Sequence, residues 1–348
     1  MFKPDYHHIV DAALNREPKR VPLYEHLINR GFMERITGKR AGASLGKHLR
    51  FHCNFFRDHG YDTVSYEACV GSVLPHGGAL ARPGPGYINS AERFYNYPFG
   101  KAVKRYKLLF KPYFKALRRA MPEGMKAVGG VGNGVFEIVQ DLTGYENLCL
   151  MSYDMPEVYA ALFQKTGDML LEIWKWFLDN FADVFCVLRF GDDLGFRTNT
   201  LLPHDDIRKH IIPQYKRIIS LIHSYDKPFL LHSCGNILGV MDDLIEAGID
   251  AKHSNEDQIA SFSEWVDRYG GSIGNFGGID TDHLVRMEDD ELIKKVTQIY
   301  NYCSKGHGGF AIGSGNSIPD YVDPKKYLLM IDTVRRLRGD YESDTQEN

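Results

Sequence analysis

Short apolar segments rich in β-branched and aromatic residues alternate with longer helix-like segments along the whole chain, and this alternation constrains the fold more than any other feature. Near-continuous apolar strands separated by helices are typical of a parallel sheet whose two faces are covered. Eight such units in 348 residues predict a (β/α)8 TIM barrel, with a doubly wound open sheet as the alternative. The predicted strands are residues 21–25, 63–67, 127–132, 184–190, 229–234, 249–254, 272–278 and 309–315.

The segments between the strands complete this organisation. The clearest helix is predicted at 156–181, where apolar residues recur at helical spacing, and residues 1–20 are predicted to form an N-terminal helical extension. Residues 71–99 are rich in glycine, proline and aromatic residues and too long for an ordinary connection, so we predict a long loop or a lid there. No repeat or linker interrupts the sequence, which predicts a single domain over residues 1–348.

Composition narrows the class of protein. The hydrophobic content of 43% and charged content of 25% are typical of a globular protein, and a net charge of −3 gives no reason to expect a nucleic-acid partner. No apolar run approaches the ~20 residues of a membrane span, and the amino-terminal residues do not resemble a secretory signal. Six scattered cysteines without a CxxC pair predict reduced thiols and a cytoplasmic location.

The predicted strand 229–234 ends in a histidine and a cysteine. Because residues two apart on a strand point the same way, His232 and Cys234 are expected to share a face at the carboxyl end, where barrel active sites lie. An imidazole and a thiolate form a partial ligand set for zinc. The alternatives are a Cys–His nucleophile pair, or a buried cysteine beside a hydrogen-bonded histidine. Even a catalytic zinc site needs a third protein ligand.

Polar residues also follow the ends of other predicted strands. Because the carboxyl ends of barrel strands meet at one face, we expect these side chains to gather at one site. Each one alone is more often a solvated or helix-capping residue than a functional one. The candidates are Glu25, Glu67, Arg189, Asp192, Asp193, Asp280, Ser314 and Asn316, together with Asn236 in the turn after Cys234.

Five segments of the chain, in this order, resemble the uroporphyrinogen decarboxylase superfamily. The resemblance implies a (β/α)8 barrel, in agreement with the strand count. The segments are "DDLG" at 192–195, "LHSCGNI" at 231–237, "LIEAGID" at 244–250, "GGID" at 277–280 and "GSGNSIPDYV" at 313–322.

Two functional branches of this superfamily make different demands on the sequence. The true decarboxylases carry an arginine-rich segment after the first strand and a catalytic aspartate after the second. Here Arg30 is the only arginine before Arg35 in the first region, and Glu67 stands near the expected aspartate. A substrate with eight carboxylates needs bidentate cationic partners, so decarboxylation of uroporphyrinogen is disfavoured.

The other branch contains cobamide-dependent methyltransferases, which move methyl groups between a small molecule or thiol and a corrinoid on a separate protein. Their thiol-activating members bind zinc through an HxC pair, matched here by His232 and Cys234, and a further cysteine after the last strand. Asn316 stands at that cysteine position, so a metal would lack one strong ligand. We expect Glu67 to supply the third.

The resemblance and the motifs together predict a methyltransferase closer to this second branch, demethylating a small methoxylated or methylated-amine compound. The expected cofactors are zinc and a corrinoid (cobalamin) on a partner protein; self-association into a homodimer is left open. The alternatives are a decarboxylase and an inactive barrel that serves as a binding protein. The expected catalytic residues are Glu67, Asp192, Asp193 and His232, and the expected substrate-binding residues are Glu25, Arg189, Asn236, Asp280, Ser314 and Asn316.

Overall fold

The computed structural model of the chain describes residues 2–78 and 86–341. The chain divides into two compact units, and boundaries between them fall inside the strands Thr63–Ala68 and Lys126–Val131. The first unit comprises Met1–Ser65, Ala116–Val128 and Asp250–Asn348, and the second comprises Tyr66–Lys115 and Gly129–Ile249. No helix in the described part of the chain is both long and apolar enough to cross a membrane.

The fold is of the α/β class, and the described residues form seven strands rather than the predicted eight. Each of the seven corresponds to a predicted strand. They are β1 (Thr63–Ala68), β2 (Lys126–Val131), β3 (Phe185–Gly191), β4 (Phe229–His232), β5 (Ala251–His253), β6 (Gly274–Ile279) and β7 (Phe310–Ser314).

Helices separate the strands as the alternation predicts. The predicted helix at 156–181 is present with the same bounds as α8, and α1 lies within the predicted N-terminal extension. The helices are α1 (His7–Ala13), α2 (Arg30–Thr37), α3 (Leu45–Asp58), α4 (Ala91–Tyr95), α5 (Phe99–Ala120), α6 (Val135–Thr143), α7 (Tyr145–Asp154), α8 (Pro156–Phe181), α9 (His204–Asp206), α10 (Ile212–His223), α11 (Met241–Glu246), α12 (Phe262–Tyr269), α13 (Thr281–Arg286), α14 (Asp289–Cys303) and α15 (Pro324–Leu337). Short 3-10 turns lie at Val70–Val73 and Leu238–Val240, and a π-helical turn at Ile207–Ile211 precedes α10.

The predicted loop at 71–99 is only partly described. Residues 79–85 lie outside the described residues, and the remainder contains the end of the turn Val70–Val73 and the short helix α4. Ser90 begins α4 by accepting the Arg93 N–H at 3.2 Å, which is a regular helix cap. The described part of the segment therefore contains regular structure that its composition does not predict.

In the first unit, β5, β6 and β7 pair in parallel and in chain order. The predicted strand 21–25 is reduced to one parallel bridge between Leu23 and Ile312. The Tyr24 N–H donates to the Ile312 carbonyl at 2.9 Å, and the Ile312 N–H donates to the Pro22 carbonyl at 3.0 Å. Two residues further on, the Ser314 N–H donates to the Glu25 carboxyl at 3.2 Å and not to a backbone carbonyl. This side-chain contact ends the ladder and explains why the first predicted strand is not a full strand.

In the second unit, β3 pairs in parallel with β4, and Gly191 lies opposite His232 at their carboxyl ends. Every residue of β3 is buried, as expected for a strand covered on both faces. The core behind β3 and β4 is aromatic: the Phe190 ring lies 5.0 Å from that of Tyr215 on α10 and 4.8 Å from that of Phe229. This packing fixes the ends of β3 and β4, and the end of β4 carries the predicted His–Cys pair.

Candidate active site

The His–Cys pair lies at the carboxyl end of β4. The strand ends at His232, and Cys234 follows in the turn, so the alternation of strand residues accounts for only part of the geometry. The His232 Nε2 atom lies 3.5 Å from the Cys234 Sγ atom. The His232 side chain is buried, whereas Cys234 is half-buried. The predicted juxtaposition of imidazole and thiol is therefore present.

Two glycines bring the loop after β3 against the loop after β4. A Cβ atom on Gly195 would lie 2.6 Å from the Asn236 nitrogen, and one on Gly235 would lie 2.2 Å from the Gly195 carbonyl carbon. Gly235 also has φ 78°, in the left-handed region that favours glycine. The Gly195 N–H donates to the Cys234 carbonyl at 3.2 Å. Larger residues at either position would push the two loops apart.

The crossing of these loops places Asp193 beside the His–Cys pair. Its Oδ1 atom accepts the Cys234 N–H at 2.9 Å and lies 3.8 Å from the His232 Nε2 atom. The three potential donor atoms of Asp193, His232 and Cys234 all lie within 4.8 Å of one another. The Asp193 side chain is 45% exposed, so this group of three can be reached from solvent.

The spacing of these three side chains fits a zinc ion. Tetrahedral zinc has ligand bonds of about 2.0–2.3 Å, which places neighbouring ligand atoms roughly 3.3–3.8 Å apart. The 3.5 and 3.8 Å separations of Cys234 Sγ and Asp193 Oδ1 from His232 Nε2 match that range. A nitrogen, a sulfur and an oxygen donor are also ligand types that zinc accepts. The sequence predicts Glu67 as the third ligand, whereas the structure brings Asp193 to the pair.

Asp192 is fully buried and holds the amino terminus of α6. Its carboxylate accepts the N–H groups of Glu137 at 2.7 Å and Phe136 at 3.0 Å, and the Tyr215 hydroxyl at 2.6 Å. The residue at the N-cap position before α6 is Gly134, which has no side chain to cap the helix, and a Cβ there would lie 2.3 Å from Asp192. Burial raises the pKa of Asp192 to about 6, although these three donors act in the opposite direction. Asp192 therefore positions α6 relative to β3.

Glu137, the third residue of α6, is a buried carboxyl group that the sequence analysis does not single out. Its Oε2 atom accepts the Asn133 side-chain amide at 2.9 Å. Burial raises the pKa of Glu137 well above its usual range, and the charges of Asp192 and Asp193 raise it further. The group therefore holds a proton more tightly than an exposed glutamate. The glycine-rich turn "VGNG" before α6 is the one sequence signal that points to this position.

A small gap at Gly191, the last residue of β3, separates Glu137 from His232. A Cβ atom on Gly191 would lie 3.6 Å from the His232 Cδ2 atom and 3.7 Å from the Glu137 Oε1 atom, both ordinary contact distances. The carboxyl and the imidazole therefore border the same space. An atom of a bound ligand could occupy it, because Gly191 itself leaves it empty.

Glu67 and Arg189 form a buried ion pair in the second unit. The Arg189 Nη2 atom lies 2.6 Å from Glu67 Oε2, with the two side chains 0% and 7% exposed. The Cys69 thiol lies 3.6 Å from the other Glu67 oxygen, and burial raises the pKa of this thiol well above its usual value. Removal of one partner of a buried pair typically costs about 3–5 kcal/mol, because the other charge is left uncompensated. The charge of Arg189 is thus already balanced within the protein.

The first unit contains a second buried carboxyl group, Glu25, with the predicted residues Ser314 and Asn316. The Ser314 hydroxyl contacts Glu25 Oε2 and also lies 2.5 Å from the Asn316 carbonyl oxygen. Burial raises the pKa of Glu25 to about 8, against the lowering effect of its hydrogen-bond donors. A serine hydroxyl has one hydrogen for these two oxygen partners. A proton on Glu25 supplies the second hydrogen bond.

Each of the remaining predicted residues makes at least one hydrogen bond within its own turn. Asp280 caps α13 by accepting the N–H two residues further on at 2.8 Å. The Asn236 side chain accepts the Leu238 N–H at 3.2 Å. The Asn316 side chain accepts the Ser317 N–H at 2.7 Å. These contacts stabilise the turns that carry the residues, as capping and Asx-type contacts generally do.

The structure thus sorts the predicted site residues between the two units. The first unit holds Glu25, Asp280, Ser314 and Asn316. The second unit adds Glu137, Asn133 and Tyr215 to the predicted set, and no local pattern marks Tyr215. The predicted residues of the second unit are Glu67, Arg189, Asp192, Asp193, His232, Cys234 and Asn236.

Comparisons with known proteins agree with this architecture. A methyltransferase from Methanosarcina mazei is structurally similar, with a TM-score of 0.68 at 12% identity over 95% of this chain and 98% of that chain. A B12-independent methionine synthase from Shewanella sp. W3-18-1, in complex with selenomethionine, is also similar. Its TM-score is 0.51 at 13% identity over 94% of this chain and 97% of that chain. At such identities the likeness concerns the fold alone.

A search among curated proteins found no match. The family model described as uroporphyrinogen decarboxylase (URO-D) matches residues 100–337, which is more than half of the chain. That segment includes β3, β4 and the loops that bring Asp193 to His232 and Cys234. The chain therefore belongs to the uroporphyrinogen decarboxylase family.

Proposed function

We propose that this protein is a methyltransferase that removes a methyl group from a small neutral or cationic compound, a methyl ether or a methylated amine, and passes it to a corrinoid protein. The observation that carries the proposal is the grouping of Asp193, His232 and Cys234 within 4.8 Å, in a site rich in carboxyl groups. The HxC segment resembles that of the cobamide-dependent methyltransferases, and this resemblance supports methyl transfer as the reaction at this group of residues.

The charges of the second unit favour such a substrate. In that unit, Glu137 interacts electrostatically with the carboxyl groups of Asp192, Asp193 and Glu67, and the guanidinium group of Arg189 is paired with Glu67. A polyanionic substrate would meet repulsion there and would find its cationic partner already taken. A neutral ether or a protonated amine meets no such penalty.

Glu137 is the group that we assign as proton donor. When a methyl group leaves an ether oxygen or an unprotonated amine nitrogen as a carbocation equivalent, the bonding electron pair stays on that atom, which must then take up a proton. A protonated amine already carries this proton and does not need the donor. Glu137 holds its proton because burial and neighbouring carboxylates raise its pKa, and it borders the gap at Gly191. Asp192 fixes the backbone of Glu137, so the donor is held in place. After the transfer, Glu137 is left ionised and regains its proton from solvent.

The donor set of Asp193, His232 and Cys234 fits zinc, and these residues would hold it. Bound zinc would act as a Lewis acid on the leaving oxygen or nitrogen. The predicted ligand Glu67 would have to leave Arg189 before it could take part, which favours Asp193. An anionic thiolate from Cys234 and the Asp193 carboxylate would together balance a dication.

The closed (β/α)8 barrel and the single domain predicted from the sequence are part of this proposal. The parallel bridge between Leu23 and Ile312 supports a strand position for residues 21–25. The TM-score of 0.68 to the Methanosarcina mazei protein over 95% of the chain supports a shared fold.

Decarboxylation of uroporphyrinogen is the second candidate, since the family model itself carries that name. The pairing of Arg189 with Glu67 and the missing arginines near residues 25–35 speak against it. A non-catalytic binding protein is the third candidate. It would need neither a tightly held proton on Glu137 nor the clustered donors around His232.

Methyl transfer to free, chemically reduced cobalamin tests the proposal directly. The purified protein is incubated with reduced cobalamin and either trimethylamine or a methoxyphenol, and methylcobalamin is followed by its absorbance. With the methoxyphenol, Glu137→Gln should lower the rate by about 10²-fold, the usual scale for acid catalysis. Cys234→Ala should lower the rate with either methyl donor, because it removes one of the residues proposed to hold zinc. Cys149→Ala, which changes a half-buried cysteine on α7, is the matched control and should leave the rate unchanged.

The same preparation is also incubated with uroporphyrinogen. Coproporphyrinogen formation without methylcobalamin would establish the decarboxylase and refute the methyltransferase. If neither product forms but a donor binds, the binding-protein alternative is correct.

A further inference from the structure

Helix α5 exposes a basic face around an apolar groove. Its 22 residues include no aspartate or glutamate, and six lysines and arginines lie between positions 101 and 115. A groove of about 560 Å³ runs along the helix and is lined by Leu108, Leu109, Pro112 and Tyr113, with Arg105 at its edge. Leu108 is 80% exposed, which is unusual for a leucine in a folded monomer.

The basic charges of this face are largely unbalanced within the described residues. Of the six, only Lys107 forms an ion pair there, with Glu172 on α8 at 2.8 Å. Lys104, Arg105 and Lys111 are exposed, and no salt bridge joins them to a carboxylate in the described part of the chain. An apolar groove rimmed by unbalanced cations fits a partner that presents apolar side chains among carboxylates.

Helix α7 of the same unit has that complementary character. Glu146, Leu150, Tyr153 and Asp154 are spaced as i, i+4, i+7 and i+8, which places them on one face of the helix. Leu150 is 61% exposed and Tyr153 is 88% exposed. No lysine or arginine occurs between positions 145 and 157, and Glu157 adds a further exposed carboxylate just beyond the helix.

We propose that two copies of this chain associate by seating α7 of one copy in the α5 groove of the other. The chain has a net charge of only −3, so an overall excess of one charge does not keep two copies apart. Each copy carries both halves of the contact, so a two-fold dimer makes it twice. Leu150 and Tyr153 occupy the groove beside Leu108, while Glu146 and Asp154 face the basic rim.

The two parts of this contact have different physical roles. Burial of the exposed apolar side chains supplies most of the affinity, because it removes apolar surface from water. The rim charges set the orientation and the rate of association, and their effect weakens as salt screens them. We therefore expect a dimer that dissociates more readily at high ionic strength.

Charge reversal and charge exchange test the contact by sedimentation velocity. One variant carries Lys104→Glu with Arg105→Glu, and another carries Glu146→Lys with Asp154→Lys. Each alone should raise the dimer dissociation constant at least about tenfold, because like charges then face each other at both copies of the contact. The control, Lys165→Glu with Lys209→Glu, makes the same charge change on exposed residues of α8 and of the π-helical turn and should leave the constant unchanged.

Mixing the two reversed variants gives the decisive measurement, because both contacts of the mixed dimer then join opposite charges. One contact pairs the two reversed helices, and the other pairs the two unchanged helices. The mixture should form a heterodimer where each variant alone is monomeric. A wild-type chain that stays monomeric up to about 100 μM at low salt overturns the proposal, as does a dimer that survives both reversals. Wild-type monomers that bind vesicles of equal parts phosphatidylserine and phosphatidylcholine through Lys104 and Arg105 would assign the basic face to a membrane surface, and would overturn it too.

Discussion

Replacing Glu25 by glutamine tests whether this buried carboxyl carries a proton in the folded protein. The Ser314 hydroxyl contacts both Glu25 Oε2 and the Asn316 carbonyl, yet it has one hydrogen to donate. A protonated Glu25 donates to Ser314, which in turn donates to Asn316. A glutamine side-chain amide donates in the same way and still accepts the Ser314 N–H on its oxygen, so Glu25→Gln preserves both contacts with Ser314.

The size of the effect follows from the pKa of Glu25, which burial raises from 4.5 to about 8. Between these pH values the folded protein holds a proton that the unfolded chain has released. The stability from this group is therefore fully present below pH 4.5 and is lost as the pH rises to 8. At 1.36 kcal/mol per pH unit, the interval corresponds to about 5 kcal/mol. Glutamine does not ionise, so the variant escapes this loss.

Urea unfolding of the two proteins at pH 5, 7 and 9 measures the difference. We expect nearly equal free energies of unfolding at pH 5, an advantage for Glu25→Gln of about 3 kcal/mol at pH 7, and about 5 kcal/mol at pH 9. Glu172→Gln, which changes an exposed glutamate on α8, serves as the control and should show no comparable trend. A difference between wild type and Glu25→Gln that does not change with pH would refute the protonated carboxyl.

Three further changes test the second unit. Gly191→Ala places a methyl group at contact distance from His232 and Glu137, so the protein should keep its thermal midpoint yet lose methyl transfer at least about tenfold. Tyr215→Phe removes a donor to Asp192, so urea unfolding at pH 7.5 should show a loss of about 1–3 kcal/mol, and smaller below pH 6, where Asp192 is protonated. Cys234→Ala should weaken zinc binding, titrated against a chelating dye, at least about tenfold, whereas Cys149→Ala should not.

The strands are predictable because burial on both faces makes them apolar runs, as in β3, where every residue is buried. The segment 21–25 is also mostly apolar but forms only the Leu23 bridge to Ile312. There the amide of Ser314 donates to the Glu25 side chain. This contact joins residues almost 300 positions apart, and no local pattern encodes it. Strand number is therefore less predictable than strand position.

The site shows the same division between local and distant contacts. His232 and Cys234 are two residues apart, so their juxtaposition follows from the sequence. Asp193 reaches them only because Gly195 and Gly235 let two loops pass close to each other. The sequence shows the two glycines but does not show which segments they bring together. The raised pKa of Glu137 depends on burial and on carboxylates from another loop, neither of which is visible in its own segment.

The protons and charges of the second unit bear on the choice between the proposed methyl transfer and the decarboxylation of a substrate with many carboxylates. Glu67 is neutralised by Arg189, and Asp192 is held by three donors. Glu137 retains a proton because its burial and its neighbours penalise its ionisation. Asp193 is therefore the carboxylate left to balance a cation, beside an imidazole and a thiol. A substrate with many carboxylates would need guanidinium groups at this site to bind them, and the guanidinium group of Arg189 is already paired with Glu67.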